Sequence, residues 1–554
     1  MSTLKHPLYP VDYYNDFRQF LLGIREKFSS RPAVTWYERK GEECNRRYEE
    51  LCGDSLAFGE SLCAAGLQGS HVAIAGENSY EWLTAFYGVT ASGSVAVCID
   101  VEQSLEVIRR MIFLADSRIL LASPTIATLL APLLDEPESP LEQMLVLSSG
   151  EEDGLFMSIR EFSETGRQRL AQGRAAMFDT PIEKNQPAAI FYTSGTTSMA
   201  KPVMLSHYGL ITNASDSISM VTIPEKIFTA LPFYHTYALT CSVNNIFIKG
   251  MHLCINGDLK RMARDLVKFD PGMTMAVPLM VETIHQKLLA EAEKAGKKEL
   301  VNRLLKLNTW LHKLGIRRPM PPLKKAKEAG LGHLSEIICG GAHLSKTISQ
   351  NLLAFGIHVL EGYGITECSP LISVNRKASY RFSTAGLLLP GVRVQIRDEE
   401  IWIKGPSVML GYYKDPESTR QVMKDGWFNT GDIGCLDKEG FLHITGRKKN
   451  LIVLKNGKKI APEEIESYLK DIPLIKEVVA YGAISGDSTD DVRLAVIIYP
   501  DEKAAEGLAP YEVLEQLQQE INKINQKLPS YKQIQMVNLR NEEFEKTAAK
   551  KIKR

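Results

Sequence analysis

A hydroxyl-rich loop in the first half of the chain has the composition of a phosphate-binding site. It combines hydroxyls with a glycine and a lysine, namely Thr193, Ser194, Gly195, Thr196, Thr197 and Lys201. Hydroxyl and backbone N–H groups can donate to phosphate oxygens, and a lysine adds a positive point charge. The G-x-x-x-x-G-K-[ST] spacing of a Walker-type site is missing. On composition alone, the segment also fits an ordinary Ser/Thr-rich surface loop.

Two further segments could hold a metal ion and a sugar. In Gly362-Tyr-Gly-Ile-Thr-Glu367 a carboxylate stands beside hydroxyls and glycines, and Mg²⁺ prefers such hard oxygen ligands. Asp432 ends a glycine-containing run that begins at Asp425, and Arg447 follows it closely. A carboxylate accepts hydrogen bonds from ribose hydroxyls, and a guanidinium donates to phosphate or ribose oxygens. Each segment also fits a simple turn or strand connection.

The C-terminal end of the chain is basic. Residues 544–554 read Phe-Glu-Lys-Thr-Ala-Ala-Lys-Lys-Ile-Lys-Arg. Composition alone predicts a charged, solvent-exposed end of the chain.

Short apolar strands alternate with helices in the part of the chain that would position these groups. The pattern covers Tyr48–Ala65, His71–Ala75, Ser79–Ala91 and Val95–Ile99, and it resumes at Ala188–Tyr192, Ser206–Ser219, Met275–Val277 and Ile337–Cys339. Such alternation is typical of βαβ units around a mostly parallel sheet. The hydroxyl-rich loop would therefore follow a strand and precede a helix.

The pattern changes towards the C-terminus. Val392–Arg397 and Glu400–Lys404 alternate like antiparallel strands, and Asn456-Gly457 suits a tight hairpin turn. We therefore predict an α/β protein with one domain at residues 1–448 and a small second domain at residues 449–554.

The bulk composition is that of a globular protein without the character of a nucleic-acid binder. Of the 554 residues 44% are hydrophobic, and 66 basic residues balance 66 acidic ones. A dedicated nucleic-acid binder would carry a basic excess. The nine cysteines are scattered without a C-x-x-C pair, which predicts a reducing, cytoplasmic location. We find no signal-peptide pattern and no apolar run of about 18 residues, so we expect no membrane-spanning helix.

A helical insert is predicted between Pro278 and Pro319. One of its faces collects Val301, Leu304, Leu305, Asn308 and Leu311, which predicts an amphipathic helix packed on the core. A basic stretch follows, with Arg317, Arg318, Lys324, Lys325 and Lys327. This stretch is either a solvated face or a contact with an anionic membrane surface or with CoA phosphates.

The order of the segments resembles the adenylate-forming superfamily of acyl-CoA synthetases, luciferases and peptide-synthetase adenylation domains. The resemblance covers about residues 45–554 and rests on Tyr-Thr-Ser-Gly-Thr-Thr at 192, Pro-Phe-Tyr-His at 232, Gly-Gly-Ala at 340, Tyr-Gly-Ile-Thr-Glu at 363, Thr-Gly-Asp at 430, Gly-Arg-Lys-Lys at 446, Pro-Glu-Glu-Ile-Glu at 462 and Lys-Thr-Ala-Ala-Lys-Lys at 546. It implies a large N-terminal domain of layered βαβ units with a distorted β-barrel part, and a small mobile α+β C-terminal domain. It also implies that a carboxylic acid and ATP, with Mg²⁺, give acyl-AMP and pyrophosphate, after which the acyl group passes to a thiol such as that of CoA.

The resemblance implies a role for each matching residue. The hydroxyl-rich loop would grip the pyrophosphate end of ATP. The adenine slot would be formed by Gly340, Gly341, Ala342, Gly362 and Tyr363. Thr366 would contact the α-phosphate, and Glu367 would bind Mg²⁺. Asp432 and Arg447 would hold the ribose, and His235 would lie by the acyl carboxylate.

Two lysines near the predicted domain boundary and the C-terminus complete the implied machinery. Lys551 would bridge the acyl carboxylate and the AMP oxygens in the first step. Lys449 matches the hinge position about which the small domain rotates between the two half-reactions, exchanging Lys551 for the Asn456-Gly457 hairpin. A hinge residue only needs to tolerate a large change in φ and ψ.

The sequence departs from the family pattern at two places. The loop usually continues Gly-x-Pro-Lys-Gly, but here Ser198 and Pro202 replace the two glycines. Ser198 restricts a backbone position that glycine leaves free, and Pro202 removes an N–H donor. Near the end, Lys550 replaces the usual glycine before Lys551.

The insert and the extra residue before Asn456-Gly457 resemble those of long-chain fatty acyl-CoA synthetases. Apolar residues near Tyr237 and Phe247 suit a fatty chain, although they also fit ordinary core. The alternatives are an acyl–carrier-protein ligase, an aryl-CoA ligase, or a nucleotide- or acyl-binding homologue that has lost catalysis. Peripheral contact with a membrane and the oligomeric state are left open.

Overall fold

The computed structural model describes residues 8–38, 41–148, 156–193, 200–256, 261–342, 344–454, 458–470, 472–484, 492–546 and 552. Its α-helices are α1 Phe17–Phe28, α2 Tyr48–Ala64, α3 Tyr80–Ala91, α4 Leu105–Leu114, α5 Pro124–Leu130, α6 Ile159–Ala171, α7 Ala176–Asp179, α8 His207–Met220, α9 Asn245–Ile248, α10 Met262–Phe269, α11 Pro278–Lys294, α12 Lys298–Lys313, α13 Pro321–Leu331, α14 Lys346–Ala354, α15 Pro416–Val422, α16 Pro462–Leu469 and α17 Pro510–Asn525. Short 3₁₀ turns lie at Ala131–Asp135, Thr366–Cys368, Lys448–Asn450 and Ser530–Lys532, and a π-helix at Tyr237–Asn244.

The strands build several sheets. They are β1 Pro32–Tyr37, β2 Glu43–Arg47, β3 His71–Ala75, β4 Val95–Cys98, β5 Ser117–Ala122, β6 Gln143–Val146, β7 Pro187–Tyr192, β8 Pro202–Ser206, β9 Lys226–Thr229, β10 His252–Ile255, β11 Met273–Ala276, β12 Glu336–Cys339, β13 His358–Gly364, β14 Leu371–Val374, β15 Leu387–Leu388, β16 Arg393–Arg397, β17 Glu400–Lys404, β18 Gly411–Tyr412, β19 Met423–Lys424, β20 Trp427–Leu436, β21 Leu442–Arg447, β22 Ile452–Val453, β23 Lys459–Ile460, β24 Ile475–Ile484, β25 Val492–Pro500 and β26 Met536–Leu539.

Two large sheets have parallel centres and antiparallel edges. The nine-stranded sheet runs β15-β14-β13-β12-β11-β9-β10-β1-β2, and β1 and β9 to β13 are mutually parallel. The seven-stranded sheet runs β18-β8-β7-β4-β3-β5-β6, and β3 to β7 are parallel. At its other edge β8 turns back antiparallel on β7, and β18 pairs with β8. The predicted βαβ architecture is therefore confirmed.

Helix α3 shows how local sequence places a helix in the core. The Ser79 side chain accepts a hydrogen bond from the Trp82 backbone N–H at 3.1 Å, which caps the first turn. Trp82 and Phe86 are fully buried and stack with ring centroids 5.8 Å apart. Large aromatic side chains such as these account for much of the apolar surface that folding removes from water.

The C-terminal part of the chain carries smaller sheets. Strands β16, β17, β20, β19 and β21 form a five-stranded antiparallel sheet. Beyond it, β22 pairs with β23, and β24-β25-β26 form a three-stranded sheet. Leu469 of α16 and Leu517 of α17 are buried in the core of that last sheet. The predicted α/β class with a smaller C-terminal unit is confirmed, whereas the boundary at 448/449 stays a prediction.

Most elements predicted from the apolar pattern lie within two residues of their observed bounds. The sequence pattern predicts no helix or strand in the first 47 residues. The structure has α1, β1 and β2 there, and β1 and β2 form one edge of the nine-stranded sheet. Among the described residues, no helix combines the length and the apolar character needed to cross a bilayer.

Candidate active site

The two ends of the hydroxyl-rich loop are tied together. Strand β7 pairs with β8 so that Tyr192 faces Pro202. Thr193 N–H donates to the Lys201 carbonyl at 3.1 Å, and Lys201 N–H donates to Thr193 Oγ1 at 3.1 Å. The loop is thus held at its base by a reciprocal pair of hydrogen bonds. Five predicted or discussed loop residues lie outside the described part of the chain, namely Ser194, Gly195, Thr196, Thr197 and Ser198.

Pro202 occupies a position that tolerates the loss of its N–H. It is the first residue of β8, where proline is accepted within sheets. Its carbonyl accepts a hydrogen bond from Tyr413 N–H at 2.8 Å. The departure from glycine is therefore accommodated at the end of the strand, in contact with the segment that carries β18.

Tyr412 links Lys201 to Glu367. It lies on β18, which pairs with β8 and places Tyr412 opposite Val203. The Lys201 ammonium lies 4.7 Å from the centroid of the Tyr412 ring, within cation–π range. The Tyr412 hydroxyl donates to Glu367 Oε1 at 2.9 Å. One aromatic side chain thus connects the base of the loop with the carboxylate predicted to bind Mg²⁺.

The environment of Glu367 suits a metal-bound carboxylate. Burial raises its pKa, whereas hydrogen bonds from its own backbone and from Tyr412 and the positive charge of Arg447 lower it. A cation would relieve the cost of burying this charge. Among the described residues no cluster of three or more His, Cys, Asp and Glu side chains is arranged around a common point. A single carboxylate completed by substrate phosphates and water is the usual arrangement for Mg²⁺, so Glu367 fits that ion.

Asp432 is the acceptor of two strong hydrogen bonds. It lies on β20 opposite Arg447 of β21 and is 5% exposed. Tyr363 Oη donates to its Oδ2 at 2.6 Å, and Arg447 Nε donates to its Oδ1 at 2.6 Å. Because Tyr363 lies on β13 and Arg447 on β21, this carboxylate joins the nine-stranded sheet to the five-stranded sheet. The residues predicted for adenine and for ribose are therefore in direct contact.

The glycines of the predicted adenine slot follow neighbouring parallel strands. Cys339 at the end of β12 pairs with Glu361 of β13, so Gly340 and Gly362 lie side by side. A Cβ on Gly340 would meet the Tyr237 ring at 3.2 Å. Gly341 has φ of +93°, a conformation that glycine adopts without strain, and Ala342 follows it. This edge offers backbone that a flat ring can approach closely.

His235 lies at the start of the π-helix, beside that edge. Its N–H donates to the Pro232 carbonyl at 3.1 Å, and its ring packs on that of Tyr234 with centroids 4.8 Å apart. Two residues later, Tyr237 Oη donates to the Ile338 carbonyl at 2.9 Å. The π-helix is therefore anchored to β12, and π-helical turns are often found at functional sites.

Thr366 and the hinge candidate lie in short turns. Thr366 begins the 3₁₀ turn that presents Glu367, and its carbonyl accepts from Ser369 N–H at 3.2 Å. Lys449 lies in the turn after β21, where burial and the nearby Arg447 lower its pKa. Lys551 and the Asn456-Gly457 turn lie outside the described residues.

Comparisons with known proteins agree with this geometry. The family model described as AMP-binding enzyme matches residues 24–413, and the model described as AMP-binding enzyme C-terminal domain matches residues 449–554. The chain belongs to the AMP-binding enzyme family. It is an enzyme of the adenylate-forming ligase type, as the resemblance implied.

Individual relatives are similar over most of the chain. Long-chain-fatty-acid–CoA ligase FadD15 of Mycobacterium bovis is 27% identical over 476 residues, covering 82% of this chain and 77% of that protein. Long-chain-fatty-acid–[acyl-carrier-protein] ligase AEE15, chloroplastic, of Arabidopsis thaliana is 27% identical over 84% of this chain and 73% of that protein. The crystal structure of the anthranilate CoA ligase AuaEII in complex with anthranoyl-AMP has the same fold, with a TM-score of 0.77 at 18% identity over 98% of this chain and 96% of that one.

Sequence reasoning missed Tyr412 and Tyr237. Tyr412 reaches Glu367 only because β18 pairs with β8, a long-range pairing that no local pattern predicts. From the sequence, Tyr237 is only one member of an apolar run. In the structure its hydroxyl donates to the carbonyl of Ile338, beside the predicted adenine slot. The sequence around Tyr412 offers only the pair Gly411-Tyr412, and such a pair fits an ordinary turn equally well.

Proposed function

We propose that this enzyme activates a long-chain fatty acid with ATP to acyl-AMP and then transfers the acyl group to the thiol of CoA, releasing AMP and pyrophosphate. The observation that carries the proposal is the arrangement around Arg447, whose charge acts on both Asp432 and Glu367. A carboxylate suited to ribose and a carboxylate suited to a metal ion, both close to one guanidinium, fit a nucleotide whose α-phosphate lies between sugar and metal.

In the first half-reaction, positioning and charge neutralisation do most of the work. Asp432 would exchange its bonds to Tyr363 and Arg447 for ribose hydroxyls, and Arg447 would then donate to ribose or phosphate oxygens. Mg²⁺, held by Glu367, would neutralise phosphate charge. Thr366 would donate its hydroxyl to the α-phosphate. His235 would orient the acyl carboxylate.

The hydroxyl-rich loop would receive the leaving pyrophosphate. Thr193 and Lys201 are fixed at its base, and Ser194, Gly195, Thr196 and Thr197 would donate hydrogen bonds to the phosphate oxygens. The Lys201 ammonium lies over the ring of Tyr412, whose hydroxyl is bound to Glu367. A positive charge there stabilises the negative charge that develops on the leaving group.

In the second half-reaction, the domain proposed at residues 449–554 would rotate about Lys449. This rotation would withdraw Lys551 from the acyl carboxylate and bring the Asn456-Gly457 turn to the thiol entrance. The adenine slot, from Gly340, Gly341, Ala342, Gly362 and Tyr363, would keep the nucleotide in place meanwhile. Such large-scale closure about a short hinge is a common way to separate two chemical steps.

The choice of fatty acid and CoA is supported by the similarity to FadD15, a long-chain-fatty-acid–CoA ligase. The carrier-protein ligase AEE15 supports the alternative acceptor, and the anthranilate ligase supports an aromatic acid. A cytoplasmic location, at times in contact with a membrane, fits the even balance of charge and the scattered cysteines. The partners we propose are the carboxylic acid, ATP and CoA, with an acyl carrier protein as the alternative to CoA. We do not propose a nucleic-acid partner.

Acid-dependent exchange of pyrophosphate into ATP tests the reaction class. We expect exchange with palmitate-like acids, little with anthranilate or benzoate, and thioester formation when CoA is added. Exchange without transfer to CoA but with transfer to acyl carrier protein would replace the acceptor. If no acid supported exchange, the protein would instead be a nucleotide- or acyl-binding homologue that has lost catalysis. The replacement of two family glycines by Ser198 and Pro202 is the observation that favours this alternative.

A further inference from the structure

Helix α12 has a second apolar face that points away from the protein. Val301 and Asn308 are buried against the core, at 5% and 1% exposure. Leu300, Leu307 and Leu314 lie seven residues apart, so they form one stripe along the helix, and they are 51%, 44% and 58% exposed. At about 100° per residue this stripe lies about 100° around the helix axis from Val301 and Asn308, on the flank of the helix. Packing within the chain therefore does not explain these leucines.

Two more large side chains extend the stripe. Trp310 is 56% exposed, and Ile316, just beyond the helix, is 44% exposed. We call Leu300, Leu307, Trp310, Leu314 and Ile316 the insert ridge. An exposed set of this size on a single helix is more than the scattered apolar residues of an ordinary surface.

The segment that carries the insert ridge is strongly basic. Residues 297–318 contain one acidic residue, Glu299, and seven basic ones, Lys297, Lys298, Arg303, Lys306, Lys313, Arg317 and Arg318, in a chain whose net charge is zero. Within the described ranges, Lys298 pairs with Glu293, whereas Arg303, Lys306 and Lys313 form no ion pair. The charge is thus concentrated here and is largely uncompensated.

We propose that the insert ridge docks this enzyme on an anionic lipid bilayer. A helix with leucine and tryptophan on one side and lysine and arginine beside them lies in the membrane interface, with its apolar side chains at the boundary between headgroups and acyl chains. Tryptophan favours that boundary because its ring is apolar and its N–H is polar. Each Lys or Arg near the surface adds to the attraction of anionic lipid.

The geometry favours a bilayer over a protein partner. The leucines, Trp310 and the basic residues lie on α12 or within a few residues of its ends, and all are solvent-exposed, so they form a protruding ridge. A flat, deformable anionic surface can receive such a ridge along its whole length. An acidic carrier protein also matches the charge, and the experiment below separates the two.

Vesicle co-sedimentation of the purified full-length chain tests the proposal without ATP or acid, so its outcome is independent of the proposed reaction. We expect binding to phosphatidylcholine vesicles that contain phosphatidylglycerol, weak binding to phosphatidylcholine alone, and release at high salt. The double variant Lys306→Gln, Lys313→Gln should weaken binding about tenfold or more. Leu307→Ser with Leu314→Ser should weaken it by a similar factor.

Matched controls come from exposed residues elsewhere. Leu129→Ser removes a leucine that is 53% exposed, and Arg110→Gln with Lys438→Gln removes two exposed charges. These controls should bind vesicles as the wild type does, and all variants should keep their rate of pyrophosphate exchange.

The intrinsic fluorescence of Trp310 gives a local signal. Anionic vesicles should shift the emission of the wild type to shorter wavelength, and the Trp310→Phe protein should lack this change. Ridge variants that bind anionic vesicles as tightly as the controls would overturn the proposal. So would a wild type that ignores both vesicle types but is retained by acyl carrier protein through the ridge.

Discussion

The hydroxyl of Tyr412 donates a hydrogen bond to Glu367 Oε1 across 2.9 Å. The same ring carries the Lys201 ammonium on its face, 4.7 Å from the centroid. Tyr412 therefore fixes both a carboxylate and a cation of the candidate site with two different parts of one side chain. A substitution that removes only the hydroxyl separates these two effects.

We predict that Tyr412→Phe lowers the rate of adenylation by about tenfold, the usual effect of losing a hydrogen bond to a charged group. The ring remains, so Lys201 keeps its contact, and the KM for ATP should change less than kcat. Steady-state pyrophosphate exchange at saturating Mg²⁺ measures both. Tyr413→Phe is the matched control, because the hydroxyl of Tyr413 donates to Asp116 instead. Equal losses in both variants would contradict the role of Tyr412.

The same variant should change the dependence of the rate on pH. Burial raises the pKa of Glu367, and the Tyr412 hydrogen bond lowers it. The proposed Mg²⁺ site needs Glu367 as a carboxylate, so activity should fall as the pH drops below its pKa. Removing the donor raises the pKa further, and the acidic limb of the profile should move to higher pH. An unmoved acidic limb would show that Glu367 does not limit the reaction there.

We predict that Asp432→Asn raises the KM for ATP by roughly tenfold or more. An amide cannot accept two strong hydrogen bonds as a carboxylate does, and it leaves Arg447 without its counter-charge. Equilibrium binding of ATP measures the effect directly. Asp437→Asn is the control, since Asp437 pairs with Arg381 and should affect stability more than nucleotide affinity. Unchanged affinity in the Asp432 variant would exclude it from the ribose site.

A buried carboxyl outside these contacts should make stability depend on pH. Burial raises the pKa of Glu361 from 4.5 to about 8, and its Oε1 has no hydrogen-bond partner among the described residues. The protonated form is favoured by the fold, so its contribution is fully present below about pH 4.5 and is lost as the pH rises to about 8. The loss is on the order of a few kcal/mol.

Glu361→Gln removes this titration. Relative to the wild type, the variant should gain in free energy of unfolding as the pH rises from 5 to about 8, and the gain should then level off. Urea unfolding at several pH values measures the difference. Glu299→Gln, which replaces an exposed carboxylate, is the matched control. A constant difference for Glu361→Gln would mean that its carboxyl is charged in the folded protein.

The sequence predicted the parts of the fold that repeat a local pattern. Strand His71–Ala75 has its predicted bounds, and the helix after Ser79 begins where a serine can cap it. The strand order of the nine-stranded sheet could not be predicted in this way. It pairs β1 with β10, which lies more than 200 residues further along the chain. Such pairings depend on which edges remain open after the chain has collapsed, and neither periodicity nor composition encodes that.

The candidate site also has residues that the sequence predicted and contacts that it could not predict. Glu367, Asp432 and Arg447 could be named from motifs, because nucleotide chemistry restricts the residue types that serve it. The bond from Tyr363 to Asp432 could not be named, since it joins two sheets through side chains 69 residues apart. The exposed stripe on α12 could not be named either, because the period of an amphipathic helix is the same whether its apolar residues are buried or exposed.

The choice between Lys550 and Lys551 gives the last prediction. Lys551 is the fourth residue after Thr547, the spacing of the family, but Lys550 is adjacent and chemically identical. In the proposed mechanism this cation bridges the acyl carboxylate and AMP oxygens and is withdrawn before thiol attack, so it would stabilise the transition state of adenylation only. We therefore expect Lys551→Ala to reduce pyrophosphate exchange by about a hundredfold or more, the range seen on losing one preorganised donor. Conversion of synthetic acyl-AMP and CoA to acyl-CoA should stay near the wild-type rate, and Lys550→Ala should preserve both activities.

Normal exchange by Lys551→Ala, with loss in Lys550→Ala, would move the assignment by one residue. Equal loss of both half-reactions in Lys551→Ala would instead indicate a general structural role for the C-terminal segment.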